Sequence, residues 1–109
     1  MLSLFDAERY FDVDARAFAR LCRYRAHYGP AVELSWLYDQ CGRIAYAADS
    51  ILAAGIKIDN VRGAWKAFFV IVDIELEVVK LPLEAQDRSA LLGMLKDAKD
   101  LLELAIECA

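Results

Sequence analysis

Apolar side chains recur at spacings of three and four residues through four stretches of this chain, the interval that keeps them on one side of an α-helix. The third stretch, Asn60 to Leu81, is the most apolar and allows two readings. Val72 to Val78 alternates apolar and polar, as a half-buried strand would. Over the longer window Arg62, Lys66, Asp73, Glu77 and Lys80 share one side, and Trp65, Phe68, Val72, Leu76 and Val79 share the other. The helical pattern is the longer of the two, so a helix is expected here, with Glu75 projecting from the middle of the Trp65–Val79 face.

The other stretches are predicted as helices on the same ground. Helix one runs from Leu4 to Tyr28 with Ser3 as N-cap and Asp6 at the capping-box position. Leu4, Ala7, Phe11, Phe18 and Cys22 share a face, so one continuous helix is self-consistent, and a break at Asp12–Asp14 is the alternative. Gly29 and Pro30 separate it from helix two, Pro30 to Ala54, whose seam is Leu34, Leu37, Cys41, Ile44, Ala48 and Ile51. Its back face is unusual, with Trp36, Gln40, Arg43, Ala47, Ser50 and Ala54 where solvated Lys and Glu would be expected. Asn60 caps helix three and Pro82 ends it. Helix four spans Leu83 to Glu107, with Leu91, Leu95, Ala98, Leu102 and Ala105 as its buried stripe. Short connections between four helices predict an all-α, antiparallel up-down-up-down four-helix bundle forming a single domain over residues 1–109.

Composition agrees with this expectation: 59% of the 109 residues are hydrophobic, and only two prolines and five glycines interrupt them. No uncharged apolar run approaches the roughly 18 residues that would span a bilayer. The acidic residues in MLSLFDAER do not suit a secretion signal. A cytoplasmic protein without a membrane partner is expected. The three cysteines, Cys22, Cys41 and Cys108, have no CxxC spacing, so neither a disulfide framework nor a zinc site is indicated. One histidine and no Glu-x-x-His pattern argue against a carboxylate-bridged metal centre, and the isolated glycines form no phosphate loop. No metal or other cofactor is expected.

Charge changes the picture more. The net charge is −4, but residues 1–30 carry five arginines against four acids, while residues 31–109 carry eight basic against thirteen acidic residues. Arg9, Arg16, Arg20, Arg23 and His27 fall close to one line along helix one, flanked by Tyr24 and Tyr28. Arginine and tyrosine are enriched at protein interfaces, so this row, with Trp36 and Arg43 on helix two, forms the candidate partner-binding set. The Trp36 face is read as an association surface that suits a homodimer. Asp14, Arg25 and Glu75 lie near apolar faces and are the candidate buried charges, with Arg25 the expected partner of Glu75. An acidic protein is disfavoured as a nucleic-acid binder.

Arg20 and His27, with six residues between them, resemble the Arg-x(4–6)-His pair of HEPN-type helical ribonucleases. That resemblance implies metal-independent RNA cleavage at a dimer cleft. It covers two residues, and Leu21 stands where a polar residue usually follows the arginine. The expected function is instead a non-enzymatic protein-binding module. It would dock on another macromolecule and modulate or block it, as small inhibitors, immunity proteins and anti-CRISPR proteins do.

Overall fold

The computed structural model describes residues 1–29 and 32–109. Its elements are α1 (Leu4–Tyr10), a π-helical turn (Phe11–Ala15), α2 (Arg16–Tyr28), α3 (Leu34–Ala54), a 3₁₀ turn (Ile58–Asn60), α4 (Val61–Val78) and α5 (Ala85–Glu107). Among the described residues there is no strand, and Val72 to Val78 are helical. Pro30, the expected first residue of helix two, lies outside the described residues; the helix itself begins at Leu34.

The first helical run is continuous from Leu4 to Tyr28, but it widens where the alternative break was expected. Ser3 caps it, its hydroxyl oxygen accepting from the Asp6 amide at 3.1 Å. The π turn adds a residue to one turn of the helix. Ala7, Phe11, Ala15, Phe18 and Cys22 are all buried across it, while Asp12, Val13 and Asp14 are turned to solvent.

Four long helices pack around one apolar core. The α1–α2 run lies against α3 near its start and against α4 along α2, and α5 lies against both α3 and α4. Consecutive helices α3 and α4 therefore sit diagonally, contrary to the expectation that short connections join neighbours. The chain crosses beneath the bundle through Gly55, whose φ of 75° suits only glycine, and Ile56, which is buried.

The odd back face of α3 is explained by this arrangement. Ala47 and Ser50 are fully buried. Ser50 Oγ donates to the Tyr46 carbonyl at 2.8 Å and accepts from the Leu2 amide at 3.2 Å, tying the start of the chain to α3. Trp36 meets Phe18 edge-on with ring centroids 5.2 Å apart. The face is covered at Trp36, Ala47 and Ser50, whereas Arg43 and Ala54 remain exposed. Leu34, expected in the seam, is exposed.

The rotation of α4 differs from expectation. Ala64, Ala67, Val70, Ile71, Ile74 and Val78 point inward, together with Glu77. Trp65, Phe69, Leu76 and Val79 point outward. Both sides of α4 are apolar, so packing decides between them, and close approach favours the side with small residues. At Gly63 the fit is tight: a Cβ would stand 3.0 Å from Glu8 Oε2. After α4, Arg88 Nη2 donates to the carbonyls of Leu81 (3.2 Å) and Leu83 (2.9 Å), holding the turn into α5. The α5 stripe Leu91, Leu95, Ala98, Leu102 and Ala105 is buried throughout.

Candidate functional site

Helix α2 carries four arginines and no acidic residue over Arg16–Tyr28. Phe18, Ala19 and Cys22 anchor its inner face in the core, which leaves Arg16, Arg20, Arg23, Tyr24, His27 and Tyr28 exposed on the other. At its C-terminal end Arg20, Arg23, Tyr24, His27 and Tyr28 line a shallow pocket of about 420 Å³. Its aromatic wall is built by tilted and edge-on ring contacts along the helix. Tyr24 and Tyr28 rings lie 5.1 Å apart, and His27 meets Tyr28 edge-on at 5.1 Å. The guanidinium groups of Arg20 and Arg23 can make charge-assisted hydrogen bonds to a carboxylate or phosphate.

The row is less free of acids than its own positions suggest. Arg16 Nη2 lies 3.8 Å from Asp12 Oδ1, and Arg23 Nε donates to Glu77 Oε1 at 3.1 Å. Arg43 on α3 pairs with Asp39 at 3.0 Å. Arg9, Arg20 and His27 make no ion pair among the described residues. Arg9 lies at the other end of the first run, against Leu2, Asp6, Tyr10, Val13 and Asp14. It is not part of the α2 pocket. Trp36, on α3, is half-buried against the first run, beside Leu21, Arg25, Val32 and Glu33 on one side and Gln40 and Arg43 on the other. It does not stand free as the centre of an association surface.

The expected buried charges are corrected. Asp14 is exposed, because the π turn rotates it outward, and Arg25 is only partly covered in the groove beside Trp36. Glu75 is part-buried, but its partner is Lys99, whose Nζ lies 2.8 Å from Glu75 Oε1 and 5.7 Å from the centroid of the Phe68 ring. The carboxylate that is enclosed is Glu77, with 7% of its side chain exposed, held by Arg23 and, at 3.7 Å, by Lys80. Its Oε2 is buried without a hydrogen-bond partner.

Burial pushes the thiols of Cys22 and Cys41 up to about 12, so they stay protonated and unreactive at neutral pH. Burial, with Asp14 nearby, also raises the Tyr10 phenol to about 12. Cys108 is exposed. Among the described residues no three His, Cys, Asp or Glu side chains are gathered as a metal site would need, and no helix is long and apolar enough to cross a membrane.

One surface was not foreseen. Trp65, Phe69, Leu76 and Val79 form an exposed stripe along α4, with Val72 partly covered among them. Trp65 stacks on Phe69 at 6.1 Å and meets Phe68 edge-on at 5.4 Å. Of the side that the sequence pattern groups as Trp65, Phe68, Val72, Leu76 and Val79, only Phe68 and Val72 are partly covered. No protein-family model, curated protein or solved structure matches this chain.

Proposed function

We propose that this protein is a non-enzymatic, cytoplasmic protein-binding module that docks an acidic partner surface on the outer face of α2 and thereby modulates or blocks that partner. The observation that carries the reading is the pocket of Arg20, Arg23, Tyr24, His27 and Tyr28 on a helix without an acid of its own. Inhibitor, immunity and anti-CRISPR proteins are the kinds of activity it brings to mind, as an analogy of type. An antiparallel up-down-up-down course of the helices belongs to the same reading. It is supported by the contacts of Leu2 with Ser50 and of Phe18 with Trp36, which put the start of the first run by the end of α3.

The test is to capture partners from the native host with the wild-type chain and with Arg16→Glu/Arg20→Glu. A genuine acidic partner associates more slowly, and with less salt dependence, on the reversed surface, while the helix content is unchanged. Arg20 and His27 line one pocket, so the same protein should be incubated with RNA. Cleavage abolished by His27→Ala would replace this reading with the ribonuclease-like one. Retention on nucleic acid that falls steeply with salt would also overturn it.

A further inference from the structure

The outward stripe on α4 has a regularity that the α2 surface lacks. Trp65, Phe69, Val72, Leu76 and Val79 follow one another at spacings of 4, 3, 4 and 3 residues, the repeat by which two helices pack side by side. Four of these residues are between 39% and 59% exposed. Large side chains each offer on the order of 150–250 Å² when free, so the stripe presents roughly 400 Å² of apolar surface. A contiguous apolar patch of this size is often a functional surface.

We infer that α4 packs against α4 of a second copy of this chain, antiparallel, making a two-fold homodimer. Doubling the stripe and adding its charged borders buries on the order of 1,000 Å², the level a specific interface requires. The heptad positions select the orientation. In an antiparallel pair whose facing residue numbers add to 141, Phe69 meets Val72 of the second copy and Trp65 meets its Leu76, each contact occurring twice by symmetry. Arg62 then lies over Val79 of the second copy, at the end of the seam.

Charge complementarity points the same way. Lys66 and Asp73 border the stripe, are exposed, and make no ion pair within the chain among the described residues. Antiparallel packing brings each Lys66 beside Asp73 of the other copy. Parallel packing would instead stack Arg62 on Arg62 within the seam and leave Asp73 facing Phe68. The only acid it would offer a bordering lysine is Glu75, which Lys99 already occupies at 2.8 Å.

This inference does not depend on the α2 reading, and either can fail alone. Sedimentation equilibrium in reducing buffer, from micromolar to sub-millimolar protein, should give twice the 12.3 kDa chain mass. Phe69→Asp and Leu76→Asp should each abolish the dimer while keeping wild-type helix content, since both side chains are exposed in the single chain. Lys66→Asp should weaken the dimer by about tenfold, and adding Asp73→Lys should restore it. A monomer at every concentration, or a dimer that survives Phe69→Asp and Leu76→Asp, overturns the proposal. A charge swap that fails to restore the dimer overturns its antiparallel register.

Discussion

Glu77 is an enclosed carboxylate held mainly from outside, since Arg23 and Lys80 reach it from solvent with side chains 64% and 63% exposed. Removing both cations, as Arg23→Ala/Lys80→Ala, leaves its charge without compensation. The loss should be about 2–3 kcal/mol in chemical denaturation, below the roughly 3–5 kcal/mol of a fully enclosed pair. Glu77→Met removes charge and unpartnered Oε2 together and should be neutral within about 1 kcal/mol or stabilising. If Glu77→Met costs more than the double cation removal, the pair is a net source of stability. The buried thiols give a second test. Native protein at neutral pH should show one fast thiol, Cys108, towards an alkylating reagent, with Cys22 and Cys41 reacting only on unfolding. The sign of the pH effect follows from their raised values. The unfolded chain releases these protons from about 9 and the folded chain from about 12, so the unfolded state binds fewer protons between the two, and stability falls as pH rises through that window. Tyr10 adds to the fall between 10.0 and about 12.

Helices were legible as elements because propensity and caps are local. Ser3, Gly55 and Asn60 stand at the ends they were expected to mark, whereas α4 stops at Val78, four residues before Pro82. Rotation about a helix axis was legible only where one face is apolar. The α5 stripe, with charged residues opposite, was read correctly, whereas α4 offers two apolar faces and its burial depends on which fits α2 and α5. For that reason Glu77 is the more enclosed of the two carboxylates, while Glu75 is part-buried beside Lys99 rather than Arg25. Lys99 borders the α5 stripe, but nothing local to α5 ties it to Glu75 on another helix. Helix α3 shows the same ambiguity from the other side. Trp36 on its back face is a packing residue, so Trp36→Ala, by removing the edge contact to Phe18, should cost about 2 kcal/mol and lower the melting temperature by several degrees. A silent Trp36→Ala would return that face to solvent.

At the scale of the molecule, charge and apolar surface are distributed on different helices. The basic surface belongs to α2, the exposed apolar stripe to α4, and α5 presents Asp97, Asp100, Glu103 and Glu107 to solvent. Arg16→Glu/Arg20→Glu should therefore alter association with an acidic partner without moving the oligomeric state. Phe69→Asp should do the reverse, and sedimentation together with binding kinetics separates the two. Helix number, approximate helix ends, the α5 core stripe and the arginine row follow from composition and from spacings of three and four residues, because these depend on backbone geometry within one helix. The diagonal placement of α3 and α4, the covering of the Trp36 face, the partners of Glu75 and Glu77 and the outward turn of Trp65 and Phe69 were decided only in the tertiary structure. Each depends on which helices are neighbours, and with apolar residues on more than one face, that choice belongs to the close packing of the whole bundle.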